Sequence, residues 1–210
     1  MTFSVKTLSN LKQALADRHD AGTLPTDSTT LSYWIRLLNR AKDYCSDRLK
    51  LTKKTSLTTS SGVIVFPDDF LLCNAVVDSD NLYWRLISKE DSVGASGNVY
   101  WITGDQDNRF SLNIPDSANQ TFTVYYTFRP ADMSVDADEC VIPDPEAVVA
   151  RAYAMLRLAE FDPAEDADKA FGECERRLDE IIYQRNLNDG GNTLLSSESR
   201  NSGNTKWPVV

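Results

Sequence analysis

The stretch Thr121–Ile142, TFTVYYTFRPADMSVDADECVI, decides the fold. Up to Phe128 it alternates, with Phe122, Val124, Tyr126 and Phe128 on one side of an extended chain and Thr121, Thr123, Tyr125 and Thr127 on the other. That period of two predicts a half-buried strand. Arg129-Pro130 stops it, because proline has no N–H to give to a sheet ladder. Asp132, Asp136, Asp138 and Glu139 then crowd four carboxylates into eight positions. Pro143-Asp144-Pro145 opens a helix that carries Val148, Val149, Ala152, Leu156 and Ala159 at helical spacing. The acids raise the question of a metal or acid/base loop. A calcium loop needs oxygen ligands at regular alternate positions, a turn-forming glycine and a closing bidentate acid. Asp136-Ala137-Asp138 supplies two ligands at such spacing and the remainder is missing. The stretch reads as a hydrated connector that returns the chain from a β region to a helical one.

Working outward, the two sides of this junction differ in period. Upstream, Leu8, Leu11, Ala14 and Leu15 mark an amphipathic helix that ends before Ala21-Gly22. Asp27-Ser28-Thr29 offers N-caps for a second helix with Leu31, Trp34, Ile35, Leu38, Ala41, Cys45 and Leu49 on one stripe. From Thr52 the chain turns to short strands: two around Ser60-Ser61-Gly62, then Leu71–Val77, Leu82–Ile87, Asn98–Thr103, Phe110–Ile114 and Thr121–Phe128. Downstream of the connector, Phe161-Asp162-Pro163 ends the third helix. A fourth follows, with Ala167, Ala170, Phe171, Cys174, Leu178, Ile181 and Ile182 at helical spacing. Four amphipathic stripes need apolar partners. The expected fold is therefore α+β: a discontinuous four-helix bundle from 1–51 and 143–187, with an antiparallel β sandwich or barrel-like lobe and its connector inserted at 52–142. Residues 188–210, polar and rich in Gly and Ser with apolar islands at Leu194-Leu195 and Trp207-Pro208-Val209-Val210, are expected to form an extended, flexible C-terminal arm.

Composition narrows the function classes. The 210 residues hold 22 Lys plus Arg against 31 Asp plus Glu, a net charge of −9 and a pI near 4.6, so the field of the molecule repels phosphate backbones. Arg48, Lys50, Lys53 and Lys54 make the best local basic patch and read as cations complementing a helix C-terminus. The four cysteines at 45, 73, 140 and 174 form no zinc or redox motif and read as small buried hydrophobes in a reducing compartment. Neither a secretion signal nor an apolar run of ~20 residues is present, so no membrane association is expected. The motifs GxGxxG and GxxxxGK[ST] are absent, and His19, the single histidine, reads as a helix-terminal or surface residue rather than a triad member. Tyr83, Trp84, Tyr100, Trp101, Tyr125, Tyr126 and Phe128 could form a stacking platform for sugars or single strands, but strand alternation sends half of them into the core. No cofactor and no catalytic residue are assigned.

The order of these features resembles the head-to-tail connector (portal adaptor) proteins of tailed bacteriophages. The resemblance runs from about Leu8 to Gln184 and is carried by LKQALADR, YWIRLLNRAKDYC, PDDFLLCNAVVDSDNLYWRLIS, VYWITGDQDNRFSLNIP, the stretch TFTVYYTFRPADMSVDADECVIPDPEAVVARAYAMLRLAEF and a final helix ending RRLDEIIYQ. It implies a structural virion protein, not an enzyme, assembled in the host cytoplasm into a ring below the portal, commonly twelvefold. Such a ring extends the DNA channel, helps retain the genome and docks the tail. Partners are then the portal, tail components and further copies of the chain, with DNA passing without sequence-specific binding. Leu194, Leu195, Trp207, Pro208, Val209 and Val210 are the candidate partner-docking residues, the other reading being a flexible tail with a stray aromatic. The competing classes are a virion carboxylate or metal hydrolase and a carbohydrate-binding β module.

Overall fold

A computed structural model describes residues 7–19, 22–95, 97–104, 110–115, 119–160 and 164–188. The chain is α+β, and it divides into two compact units at Lys50/Leu51 and at Arg129/Pro130.

The helical unit holds α1 (Leu8–His19), α2 (Ser28–Leu49), α3 (Pro145–Ala159) and α4 (Ala164–Asn188). Asp27 caps α2 by accepting from Thr30 N at 2.7 Å, and Lys50 ends it in the left-handed conformation at φ 47°. Asp144 caps α3 through Glu146 N at 3.1 Å, with Pro145 at the first helical position where its missing N–H costs nothing. The stripe expected on α2 is buried at Trp34, Leu38, Ala41, Cys45 and Leu49. Small residues line α3, and Ala147, Val148, Val149, Ala150, Ala152 and Ala154 are all fully buried. Their short side chains let α3 approach α1, α2 and α4, all of which it touches. Each fully buried Val or Leu in this core contributes about 1.5–3 kcal/mol. Residues 130–142 lie with the helices in this unit.

The β unit holds β1 (Thr52–Thr58), β2 (Val63–Val65), β3 (Phe70–Val77), β4 (Arg85–Leu86), β5 (Val99–Thr103), β6 (Ser111–Asn113) and β7 (Thr121–Phe128). One sheet has the order β1-β7-β3 and is antiparallel; the other has the order β2-β6-β5-β4. β7 alternates as its sequence requires, with Phe122, Val124, Tyr126 and Phe128 buried. Those four join Ile64, Phe66, Phe70, Val76, Tyr100, Leu112 and Ile114 in one core drawn from both sheets, within which Phe66 stacks on Phe70 at 3.8 Å. The opposite face of the first sheet is hydroxyl-rich, and Thr58 and Thr121 hydrogen-bond across it at 2.9 Å.

Of the expected antiparallel sandwich or barrel-like lobe, the barrel alternative and the purely antiparallel pairing need correction. Among the described residues the two sheets remain open, with no closed barrel, and the second is mixed because β4 runs parallel to β5. The strand expected at Leu82–Ile87 shrinks to Arg85–Leu86 because its first half is a loop held by Asp78. That carboxylate accepts from Asp80 N and Leu82 N at 2.9 Å each and from the Trp84 indole at 3.0 Å, and these donors hold its pKa below the ordinary aspartate value. Trp84 then packs edge-on against Phe122 at 5.1 Å. The C-terminal arm expected at 188–210 lies, beyond Asn188, outside the described residues.

The turn before β2 has one position that only glycine fits. Gly62 has φ 78°, and a Cβ placed there would sit 2.7 Å from the Ile114 carbonyl oxygen, which itself is fixed because Ile114 N donates to Gly62 O at 2.8 Å. Gly62→Ala is expected to cost about 1–3 kcal/mol in urea unfolding, whereas the same change at Gly172, where a Cβ meets nothing within 4 Å, leaves stability unchanged or raises it.

Candidate functional site

The acidic connector is the segment in which chemistry would be sought first, and three of its four carboxylates have structural partners. Lys42 is 1% exposed on α2, and its Nζ donates to the carbonyls of Pro130 at 3.1 Å and Ala131 at 2.6 Å and to Asp132 Oδ1 at 3.3 Å. An ammonium taken out of water must find such acceptors, so the connector is shaped around it. Asn39, one turn earlier, grips the next residue from both sides: its Nδ2 donates to Met133 O and its Oδ1 accepts from Met133 N, each at 2.9 Å. Met133 is thereby seated in the core at 2% exposure.

Asp136 and the backbone of Asp138 join the loop to α1. Asp136 pairs with Lys12, itself buried on α1, at 2.5 Å. Asp138 Oδ2 accepts from Ser134 N at 2.6 Å and Val135 N at 2.8 Å, and these backbone donors pull its pKa below the ordinary aspartate value. The Asp138 and Asp136 carbonyls accept from Leu8 N and Ser9 N, which satisfies the first turn of α1. Three carboxylates of the connector are thus engaged as ion-pair partners or turn-makers. Among the described residues no group of three or more His, Cys, Asp or Glu side chains is arranged to hold a metal ion.

A second polar assembly ties three helices of the same unit together. Arg18 near the end of α1 donates to both carboxylate oxygens of Glu173 at 2.9 and 3.1 Å and to Glu146 at 2.9 Å. Arg177 donates to Glu173 at 3.0 Å and to the α3 cap Asp144 at 2.8 Å. Glu173 is shared between two guanidinium groups, and the hydrogen bond from Arg18 is the main reason its pKa lies below the ordinary glutamate value. His19 is the last residue of α1, where it is half-buried. Its Nε2 lies 2.8 Å from both Glu160 oxygens, and its ring meets Trp34 edge-on at 5.5 Å.

The other candidates disperse. In the basic group, Arg48 pairs with Glu175 and Asp179, Lys53 pairs with Asp69 and lies over the Phe128 ring, and Lys54 lies over the Tyr125 ring. Of the seven aromatics considered as a platform, Tyr100, Tyr126 and Phe128 are buried, Trp84, Trp101 and Tyr125 are half-buried, and Tyr83 alone is exposed. The open trough of about 940 Å³ beside β4 and β5 has one carboxylate among its lining residues, Asp91, which accepts from Ser88 Oγ at 2.8 Å. Exposed apolar residues do gather in sequence on this unit, at Leu72, Leu82, Tyr83, Leu86 and Val93. Among the described residues no helix is long and apolar enough to cross a membrane. The docking residues Leu194, Leu195, Trp207, Pro208, Val209 and Val210 lie outside the described residues.

Sequence reasoning missed Lys42 and Lys12 as the anchors of the connector. The signal was present: both lie inside apolar stripes, Lys42 between Ala41 and Cys45 and Lys12 between Leu11 and Leu15, where a charged residue has to be explained. Against this geometry, the family model described as SU10 adaptor protein matches residues 6–200. No curated protein matches the chain.

Lys42→Met keeps the stem and removes the donor, leaving the Pro130 and Ala131 carbonyls without their partner. It is expected to lower stability by about 2–3 kcal/mol in urea unfolding, while Asp132→Asn, at an exposed carboxylate, changes it by less than about 0.5 kcal/mol. The depressed pKa of Glu173 sets the sign of a pH effect: its contribution is complete above the ordinary glutamate range and is lost as pH falls through the lower folded value. Thermal melts from pH 7 downward should therefore show a smaller acid-induced drop in Tm for Glu173→Gln than for the wild type, starting from a lower Tm at pH 7.

Proposed function

The chain belongs to the SU10 adaptor protein family, and from that membership we propose that it is the head-to-tail adaptor of a tailed-phage virion, assembled in the host cytoplasm as a ring below the portal. The single observation that carries this reading is the family match over residues 6–200, which spans both units and not one of them alone. The family is one of structural phage proteins, and the engaged state of the connector acids is in keeping with a role that is mechanical.

In this proposal the four helices act as a bundle that packs beside its neighbours around the channel, and portal symmetry sets the copy number, with twelve copies expected. Several physical features support it. A net charge of −9 repels the phosphate backbone, which favours sliding of DNA over binding to it. The solvent side of α4 adds a surplus of acids, with Glu165, Asp166, Asp168, Asp179 and Glu180 exposed beside Lys169 and Arg176. The exposed apolar residues of the β unit, Leu82, Tyr83, Leu86 and Val93, offer contact area for tail components. Residues 188–210 are proposed to be the arm that engages the portal, with Leu194, Leu195, Trp207, Pro208, Val209 and Val210 as its anchors. A polar, Gly/Ser-rich segment that cannot build its own core can order on a partner, and a large aromatic is a strong interface anchor.

Co-sedimentation with purified portal rings of the same phage tests the reading. The full chain is expected to travel with the portal at a fixed stoichiometry, which native mass spectrometry then counts. A chain that stays monomeric and indifferent to the portal overturns the adaptor role. Removal of residues 188–210 is expected to weaken binding at least tenfold while circular dichroism stays unchanged; undiminished binding by the truncated chain would show that the arm is not the anchor.

A further inference from the structure

The interface between α2 and α4 holds a feature that the adaptor role does not use. Tyr44 donates its hydroxyl to Glu175 at the half-buried rim of this interface, and Arg48 meets Asp179 one turn on, so the two helices run in the same direction here. One residue forward on α2 and one residue back on α4 each turn the side chain by about 100° around the axis. For parallel neighbours these opposite rotations carry both side chains from the shared rim into the shared interior. The residues that arrive there are Cys45 and Cys174. Each is fully buried, and both are free thiols.

Their surroundings make the two sulfurs unequal. The hydrogen bond from Cys45 and the nearby guanidinium of Arg151 favour the thiolate of Cys174, while that same hydrogen bond and burial keep Cys45 protonated. Arg151 is held in place over the Tyr44 ring, 3.2 Å from its centroid, and it pairs with Glu175 at 3.6 Å. A nucleophilic sulfur with a protonated resolving thiol beside it is the arrangement from which a disulfide forms.

We propose that Cys45 and Cys174 are an oxidisable pair that closes to a disulfide between α2 and α4 when the chain meets a peroxide. In the first step the Cys174 thiolate attacks one oxygen of the peroxide, the O–O bond breaks, and with one proton taken up the products are a sulfenic acid and water. In the second step the Cys45 sulfur attacks the Cys174 sulfur, the S–O bond breaks, and hydroxide leaves with the thiol proton as water. Two thiols and one hydrogen peroxide become one disulfide and two waters. The staple joins residues far apart in the chain, so it removes conformational freedom from the unfolded state. It would set only after the chain leaves the reducing conditions in which it is made. Cys140, 7% exposed in the connector, is the competing thiol of the same unit.

The test treats the full chain, natively folded, with hydrogen peroxide, then denatures it, alkylates the free thiols and maps the peptides without reduction. The expected result is a single cross-linked pair containing Cys45 and Cys174, with Cys73 alkylated, and a rise in Tm of about 5–10 °C that dithiothreitol reverses. Cys45→Ser and Cys174→Ser should each abolish the cross-link and the Tm rise. The variant Cys73→Ser with Cys140→Ser retains only the proposed pair and should still link. Recovery of Cys45 and Cys174 as separately alkylated thiols overturns the proposal, as does linkage to Cys140 in their place. A cross-linked chain that melts no higher than the reduced one overturns the staple.

Discussion

The β1–β7 ladder is the interaction on which the rest of the chain depends. Seven consecutive residue pairs, from Thr52 opposite Thr127 to Thr58 opposite Thr121, join the first strand of the β unit to its last, and Phe128 N adds a final bond to Leu51 O. Two helices precede that ladder in sequence and two follow it, and α3 must touch both of the earlier ones. Left open, roughly 95 residues separate the end of α2 from the start of α3, and zipping β1 to β7 shortens the effective loop to roughly 18, a saving of about 1.5 kcal/mol in closure entropy. The larger effect is cooperative, because strand pairing also brings Phe122, Val124, Tyr126 and Phe128 to the core face.

Electrostatics complete what the ladder begins. The chain leaves β7 at Arg129, and within the helical unit the next residues are fixed by cations on α2 and α1: Lys42 on two carbonyls and Lys12 on Asp136. The buried ammonium of Lys42 has few alternatives to those acceptors, which makes the connector's path specific rather than merely compact. The Arg18–Glu173–Arg177 assembly does similar work farther along, where Glu173 joins its own helix to α1 and the two guanidinium groups reach α3 through Glu146 and the cap Asp144.

Much of this was legible in the sequence, and the exceptions have physical causes. All four helices and the strand at Thr121–Phe128 follow from their periods, because each has one apolar face long enough to average out irregularities. The segment 82–87 misled because alternation cannot distinguish a strand from a loop whose backbone is pinned by Asp78, and because the parallel pairing of β4 with β5 is set by long-range contacts. The Asp-rich connector was legible as a junction. Its anchoring was not, since the decisive partners Asn39 and Lys42 lie about 90 residues upstream, beyond the reach of any local pattern. Lys12 and Lys42 show how a charge on an apolar stripe can be the best available clue to a buried polar contact.

The ladder also has an evolutionary reading. Because Leu51 and Phe128 are hydrogen-bonded neighbours, everything between them behaves as a cassette whose two ends lie side by side. Any module with similarly adjacent ends could stand in its place without disturbing the helical sequence on either side. Selection can then act on the two units at different rates, the helices conserving their mutual fit while the inserted lobe diverges, lengthens or is exchanged as its surroundings change.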